Sequence, residues 1–349
     1  MFYKLVVMAM VLSGLLLSGC VAEAPVEAEA GLRRFVYEQP HMGTTFRIVL
    51  YASDDAAAEA ASDAAFARID ALNASLSDYD PESELSRLSA KSGSGVAVPV
   101  SDDLFYMLKR SREFSQATDG AFDITVGPLV RLWRRARRRG ERPAEAYLAE
   151  AREAVGFEHI QLDEGSQTAL LAVPEMGLDL GGIGKGYATA EALAVLREHG
   201  VGRALVDGGG DVALGDPPPD APGWRVAVVQ PIAGAEDEVE PRYLVADNVA
   251  VATSGDVFQF VEIAGVRYSH IIDPRTGEPT TTPLAVTVIA EDATTADALA
   301  SSIAVMGPEA GLAFTEAFGA AAVITTLGEV GEAVRQQTDS LKQYTITTE

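Results

Sequence analysis

The sequence predicts an α+β fold, a single large mixed domain in which helices flank an antiparallel sheet. Two observations support this prediction. Helical patterns and strand-like runs are both frequent, but they do not alternate regularly as they would in a doubly wound α/β sheet. Most strand-like runs also follow one another beyond residue 200, as in antiparallel pairing. About 330 mature residues can bury a substantial core, as one domain or as two closely packed halves.

The first half of the chain is predicted to be mainly helical. Residues 46–51 (FRIVLY) are predicted to form a strand. An Ala-rich amphipathic helix follows at 54–76, with Phe66, Ile69 and Leu72 on one face. The remaining predicted elements of this half are a turn at 78–83, helices at 101–116 and 143–155, short strands around Ile160 and Leu170, and a helix at 184–199.

The second half is predicted to be richer in strands. Residues 216–222, which are rich in proline, and residues 233–241 are predicted to be surface loops. Helices are predicted at 293–305 and 309–318. Predicted strands cover residues 204–207, 224–229, 243–246, 250–253, 258–263, 266–271, 285–290 and 321–325.

The N-terminus has the pattern of a bacterial lipoprotein signal. Lys4 precedes an apolar run at 5–17 that is too short to span a membrane as a mature helix. The run ends in LSGC, whose Cys20 is the only cysteine in the chain. We therefore expect a signal peptide at 1–19, a lipidated Cys20 with a flexible tether at 20–34, and a folded domain at 35–349. The alternative is an ordinary signal followed by a spare thiol.

A lipidated N-terminus predicts where the protein is located. A palmitate-bearing Cys20 would anchor the chain to a lipid bilayer of the cell envelope, facing the periplasm. An Asp directly after the lipidated cysteine would be an inner-membrane signal. Val21 stands there instead, which weakly favours an outer membrane, so the choice between inner and outer membrane remains open. With Cys20 acylated, no thiol remains for a disulfide or a cysteine-ligated metal.

The charge of the chain argues against nucleic acid as a partner. The sequence contains 51 Asp and Glu against 27 Lys and Arg, a formal net charge of −24. Such a surface repels phosphate backbones. Residues 131–142 (RLWRRARRRGER) reverse this sign locally. They are either a solvated helix end and loop, or a docking patch for anionic lipid or an acidic partner.

The glycine-rich segment 179–187 (DLGGIGKGY) is the strongest local signal of a ligand site. It precedes an apolar helical pattern, so glycine backbone, a helix N-terminus and Lys185 coincide there. These features together favour an anion such as a phosphate. The segment matches neither the P-loop nor the G-x-G-x-x-G dinucleotide motif, which leaves the lineage of the site open.

The remaining chemistry depends on oxygen ligands. Cysteine catalysis is excluded because Cys20 is the only cysteine, and the four histidines lack zinc-site spacing. Asp297 and Ser301 are at positions i and i+4 of a predicted helix, so their side-chain oxygens lie on one face. They are either ligands of a Mg²⁺ site or a surface pair. His270, at a strand end before an Asp-Pro turn, is either a structural histidine or a general base.

Seven motifs occur in the order and spacing of the ApbE family. The chain resembles these bacterial lipoproteins, which are FAD:protein FMN transferases, and the resemblance extends over about residues 35–326. The motifs are MGTT at 42–45, TDGAFDITVGPL at 118–129, DLGGIGKGY at 179–187, DGGGD at 207–211, ATSGD at 252–256, SHIIDPRTG at 269–277 and ADALAS at 296–301.

The resemblance implies a domain of the ApbE-like type, related to T-folds, and a set of site residues. His270 would be the catalytic base, and Mg²⁺ would be held by the Gly182 carbonyl, Asp297 and Ser301. The Arg-rich segment 131–142 is not part of the family pattern, and Ala300 stands where some members have another Asp. The residues expected to line the FAD site are Met42, Tyr79, Ala121, Phe122, Asp123, Asp179, Lys185 and Ile272.

The implied reaction is Mg²⁺-dependent transfer of FMN from FAD to a Thr or Ser hydroxyl of a target protein, with release of AMP. The acceptor would be a flavoprotein with a Ser/Thr-Gly-Ala-Thr-like motif, a member of a membrane redox complex, modified by post-translational flavinylation. Two alternatives remain: a Mg²⁺-dependent FAD pyrophosphatase that gives FMN and AMP, and a flavin-binding lipoprotein without catalysis.

Overall fold

A computed structural model defines the fold and describes residues 31–228, 242–255, 259–328 and 332–348. The N-terminal predictions, namely the signal peptide at 1–19, the lipidated Cys20 and the tether up to residue 30, lie outside these residues. In the described part of the chain, no helix is both long and apolar enough to cross a bilayer.

The helices of the described residues are spread along the whole domain. Two short 3₁₀ helices, Phe157–His159 and Asp339–Gln343, accompany them. The α-helices are α1 (Asp55–Leu76), α2 (Glu84–Ser89), α3 (Asp102–Ala117), α4 (Gly127–Arg139), α5 (Glu145–Glu153), α6 (Gly184–Glu198), α7 (Ala293–Met306) and α8 (Pro308–Ala317).

The strands of the described residues are mostly short. They are β1 (Arg33–His41), β2 (Thr44–Ala52), β3 (Val98–Pro99), β4 (Ile160–Asp163), β5 (Thr168–Leu171), β6 (Ala204–Asp207), β7 (Asp211–Leu214), β8 (Trp224–Ala227), β9 (Tyr243–Ala246), β10 (Ala250–Gly255), β11 (Phe260–Ile263), β12 (Val266–Ser269), β13 (Leu284–Ala290), β14 (Ala321–Leu327), β15 (Ala333–Gln337) and β16 (Thr345–Thr347).

An eight-stranded sheet forms the central layer, in the order β1-β2-β6-β7-β10-β13-β14-β15. Every neighbouring pair in this sheet is antiparallel. Because side chains alternate across a strand, Phe46, Ile48 and Leu50 of β2 join the larger core, which contains the helices. Val49 between them joins a second core with Trp224 on the opposite face. The predicted α+β class is confirmed.

Each face of the sheet has its own cover. Helices α1, α6 and α7 contribute buried side chains to the larger core. Strands β16, β9 and β8 form a small sheet that supplies Trp224 and Leu244 to the second core. Helices α1 and α7 begin at aspartate caps: Asp54 accepts from Ala57 N–H and Asp292 accepts from Thr295 N–H, each at 2.9 Å. Residues 32–349 form one compact unit.

The structure corrects several predicted boundaries. Strand β1 begins at Arg33, inside the predicted tether, because residues 33–41 pair in register with β2. Helix α4, from Gly127 to Arg139, was not predicted as an element; the basic segment 131–142 is the end of this helix and the loop after it. The prediction for 258–263 is confirmed only from Phe260, since Phe258 lies outside the described residues. Helix α2 and the short strands β3, β7, β15 and β16 were not predicted.

Candidate active site

The glycine-rich segment turns directly into helix α6. Asp179 N–H donates to the Ile124 carbonyl at 2.7 Å, and Asp179 Oδ1 accepts from Gly181 N–H at 2.8 Å. Helix α6 then begins at Gly184 without a side-chain cap. N–H groups at a helix start carry partial positive charge and attract an anion, and here the Asp297 carboxylate accepts from Gly186 N–H. The predicted coincidence of loop and helix N-terminus is therefore confirmed.

Gly186 has a different role from the one that the sequence suggested. A Cβ atom at this position would lie 2.1 Å from the Ala293 carbonyl oxygen and 2.7 Å from Asp297 Cβ. The missing side chain therefore allows α6 to approach α7 rather than a ligand. This close approach lets Gly186 N–H donate to Asp297 Oδ2 at 2.9 Å, which fixes the carboxylate at the start of α6.

A Gly186→Ala variant is expected to be destabilised by about 1–3 kcal/mol, because the added methyl overlaps backbone atoms of α7 that cannot move away alone. Urea unfolding measures this loss. Gly184→Ala is the matched control: its Cβ would lie 3.6 Å from Leu180 Cβ, an ordinary contact. Equal stability of the two variants would contradict this account of the α6–α7 contact.

Three charged side chains meet beneath the glycine-rich segment. Lys185 Nζ forms an ion pair with Asp211 Oδ2, and the Asp297 carboxylate lies close to both. Burial raises the pKa of Asp211 to about 7, and Asp297 adds to this shift while Lys185 opposes it. Burial alone would lower the pKa of Lys185, but Asp211 and Asp297 outweigh it and hold that pKa above its usual range. Two carboxylates against one ammonium leave an excess of negative charge.

The three predicted metal ligands lie close together. A Cβ on Gly182 would be 2.9 Å from Ser301 Oγ, so this glycine lies beside the hydroxyl with no room for a side chain between them. Asp297 lies one turn before Ser301 on α7 and is only 4% exposed. A carbonyl, a hydroxyl and a carboxylate are hard oxygen ligands that suit Mg²⁺, and a cation would offset the excess negative charge. The described residues contain no group of three or more His, Cys, Asp or Glu that could hold a metal.

The segment 121–123 lies beside this ligand set. Phe122 is buried, and its ring would be 3.4 Å from a Cβ on Gly182. Asp123 Oδ1 accepts from the Thr125 hydroxyl at 2.7 Å, and Oδ2 accepts from Phe157 N–H at 2.9 Å, so its carboxylate holds the turn together. Burial raises the pKa of Asp123. Ala121 is buried next to it. Contact of this segment with FAD stays a prediction.

Met42 lies at the tip of the β1–β2 hairpin. Met42 and Gly43 have φ angles of 47° and 75°, so this two-residue turn requires the left-handed region at both positions. Thr44, directly after it, packs on Gly209, where a Cβ would lie 2.4 Å from Thr44 Oγ1. The hairpin therefore borders the 207–211 turn that carries Asp211.

His270 lies at the rim, one residue after β12. Its N–H donates to the Gln259 carbonyl at 3.0 Å, and its ring Nδ1 lies 3.2 Å from the same oxygen. A proton on Nδ1 donated to this carbonyl leaves Nε2 unprotonated and able to accept a proton. Desolvation by the surrounding protein, with Arg137 and Lys185 nearby, lowers the pKa of His270 to about 4. Ile272, two residues on, is buried against α4.

The sequence did not single out two residues of the site, Asp211 and Arg134. Asp211 belongs to the 207–211 motif, but its pairing with Lys185 joins positions 26 residues apart. Arg134 lies in the basic segment and links Tyr79 to Asp179. For Asp211 the signal was its place in the DGGGD motif, while its burial and its need for a cation are visible only in the structure. Nothing in the pattern of the basic segment distinguished Arg134 from its neighbours.

Comparisons with known proteins agree with this geometry. A family model described as the ApbE family matches residues 42–324. A Vibrio cholerae protein named FAD:protein FMN transferase is 34% identical over 310 residues, covering 87% of this chain and 88% of the relative. A Treponema pallidum protein of the same name is 33% identical, covering 83% of each chain. A Pseudomonas stutzeri crystal structure, described as flavinyl transferase ApbE in its apo form, matches with a TM-score of 0.79 and 31% identity, covering 89% of this chain and 96% of that one.

Proposed function

The chain belongs to the ApbE family, and we propose from this membership and from the geometry of the site that it is an FAD:protein FMN transferase. The observation that carries the proposal is the convergence of Gly182, Lys185, Asp297 and Ser301 at the N-terminus of α6. Hard oxygen ligands and an ammonium group meet there, and phosphoryl transfer from a diphosphate needs a metal ion and positive charge at the phosphates.

Each residue of the site has a part in this reaction. Gly182, Asp297 and Ser301 would hold Mg²⁺, which neutralises charge on the FAD diphosphate when bound. Lys185 adds a fixed positive charge beside these ligands. His270 Nε2 takes the proton from an acceptor Thr or Ser hydroxyl. The hydroxyl oxygen then bonds to the FMN-side phosphorus, the bond to the bridging oxygen breaks, and AMP leaves.

The partners and the location are part of the same proposal. The acceptor is a flavoprotein of a membrane redox complex with a Ser/Thr-Gly-Ala-Thr-like motif, which receives FMN through a phosphoester. A lipidated Cys20 would hold the transferase at a bilayer of the cell envelope, facing the periplasm. The LSGC motif at residues 17–20 supports this anchoring.

One incubation separates this function from its alternatives. The full chain is mixed with FAD, Mg²⁺ and a peptide carrying the acceptor motif, and the products are weighed by mass spectrometry. FMN added to the peptide, with one AMP released per adduct, supports the transferase. Free FMN and AMP without any adduct would indicate a pyrophosphatase, and FAD bound but unchanged would indicate a flavin-binding protein.

The pH dependence of transfer tests the role of His270. With its pKa lowered to about 4, the imidazole is neutral at pH 5–8, so kcat/KM should not fall on the acid side until the pH approaches 4. Desolvation contributes most to this shift and Arg137 next. An Arg137→Gln variant removes a nearby positive charge, which stabilises the imidazolium and moves the acid limb to higher pH.

The control for this prediction is Arg138→Gln, which removes an exposed charge from the same turn of α4. It should leave the acid limb in place. If both substitutions move the limb equally, the effect is one of net charge on α4 and not of Arg137 on His270. If neither moves it, His270 is not the group that titrates.

A further inference from the structure

One arginine of the basic helix joins two segments of the site. Arg134 Nη1 donates to Asp78 Oδ2 at 2.6 Å, and Nη2 donates to Asp179 Oδ2 at 3.1 Å. Its Cζ lies 4.3 Å from the centroid of the Tyr79 ring, a cation–π contact. A single planar guanidinium therefore contacts two carboxylates and one aromatic ring, a combination that lysine cannot reproduce.

The contacts of Arg134 matter because they are partly shielded from water. The Arg134 side chain is 29% exposed, while those of Asp78 and Asp179 are 19% and 9% exposed. Burial raises the pKa of Asp179 and Asp78 adds to the shift, whereas Arg134 and, less strongly, Arg131 lower it. Without Arg134, two carboxylates would face each other with too little counter-charge.

Helix α4 holds Arg134 in place from its other side. The indole N–H of Trp133, the preceding residue, donates to the Gly277 carbonyl at 2.9 Å. The Trp133 ring also stacks on Tyr268, with centroids 5.1 Å apart. Consecutive residues of α4 thus connect to the segment that carries His270 and to the glycine-rich segment, so the guanidinium extends from a fixed base.

Arg134 differs from the other arginines near the end of α4. Arg135, Arg138 and Arg139 are exposed, and the structure gives them no ion pair within its described residues. They remain compatible with a solvated helix or with a docking patch. Arg134 has neither of these roles, because its guanidinium points into the site and is occupied there by Asp78 and Asp179.

We propose that Arg134 is a positioning residue for the flavin nucleotide, which holds the Tyr79 ring and the Asp179 carboxylate in the arrangement in which they contact FAD. The proposal rests on the proposed function, because these two residues contact FAD only if the site takes FAD. Tyr79 stays 76% exposed, so the ring that Arg134 fixes is open to a ligand. Fixing an exposed side chain before binding removes an entropy cost from the binding step.

Equilibrium titration of the full chain with FAD, followed by flavin fluorescence, tests this proposal. Arg134→Gln should weaken FAD binding about 10-fold, while kcat for transfer at saturating FAD changes less. The loss should deepen as the pH is lowered, because Asp179, facing Asp78 with only Arg131 as a counter-charge, takes up a proton more readily. Adding Asp78→Asn to Arg134→Gln removes the repelling charge and should recover part of the affinity.

The control is Arg138→Gln, which should bind FAD as the wild type does at each pH. Arg134→Lys keeps the charge but not the two-carboxylate contact, so an intermediate affinity is expected, and this variant decides the question if Arg134→Gln does not fold. Wild-type affinity in Arg134→Gln, or no recovery on adding Asp78→Asn, would overturn the proposal. A wild-type chain that binds FAD without transferring FMN would instead contradict the proposed function. The test of Arg134 would still be valid, because it measures FAD binding.

Discussion

A His270→Ala variant is expected to bind FAD normally and to lose FMN transfer by about 10²–10⁴-fold, the usual contribution of a general base. The ring Nδ1 lies 3.2 Å from the Gln259 carbonyl, and a proton donated to that oxygen directs Nε2 to accept one from the acceptor hydroxyl. Alanine removes this acceptor but none of the groups at the start of α6. The measurement combines FAD titration with the initial rate of FMN addition to an acceptor peptide.

The matched control for this variant is His199→Ala, which removes an exposed histidine at the end of α6. It should transfer FMN at the wild-type rate. If His270→Ala retains more than about a tenth of the activity, the residue is not the general base. If the variant also loses FAD affinity, the imidazole contributes to binding, and the separation between base and binding residues is wrong.

An Asp297→Asn variant is expected to lose Mg²⁺ binding and transfer together, with a rate at least about 10²-fold lower, since metal stabilisation of developing charge contributes several kcal/mol. The fold should not suffer. Burial raises the pKa of Asp297, and its charge raises that of Asp211, so a neutral amide removes an unfavourable buried charge. Without metal, Tm should be unchanged or higher.

Thermal melting separates this metal role from a structural one. Mg²⁺ should raise the Tm of the wild type and leave that of Asp297→Asn unchanged, because only a ligand bound to the folded state stabilises it. Ser301→Ala should weaken the Mg²⁺ response. Ser302→Ala, whose hydroxyl donates to the Ala298 carbonyl, is its neighbouring control and should keep the full response. A wild-type response in Asp297→Asn would show that Mg²⁺ binds elsewhere.

The basic helix α4 shows how one sequence pattern can divide into separate roles. The basic segment 131–142 allowed two interpretations, a solvated helix end and loop or a docking patch. Both interpretations treat its arginines as equivalent. Arg134 contacts Asp179, and Arg137 influences His270. Trp133, within the same run, anchors the helix to Gly277. Helical periodicity places these three positions on the side of α4 that packs against the site.

Local sequence patterns were sufficient to predict the helices and strands whose own residues carry the periodicity and the caps. Helix α1 was predicted at 54–76 because apolar residues repeat at helical spacing behind Asp54, and the structure has that helix with Asp54 as its cap. Strands β13 and β14 were found from short apolar runs. Strand β15 was missed because only two of its five residues, Ala333 and Val334, are apolar, and only Ala333 is partly buried.

The sequence by itself determined the α+β class, the helices α1, α3, α6, α7 and α8 in their order and, through seven spaced motifs, the family, whose resemblance supplies the predicted site residues. Tertiary structure decided which of these residues meet. Asp297 bonds to Gly186 across 111 positions, and Arg134 reaches Asp179 across 45. Such pairs depend on how α4, α6 and α7 pack on one another, and local periodicity carries no information about that packing. The glycine at 186 is the clearest case: its spacing suggested a ligand contact, but the absence of a Cβ serves the approach of two helices.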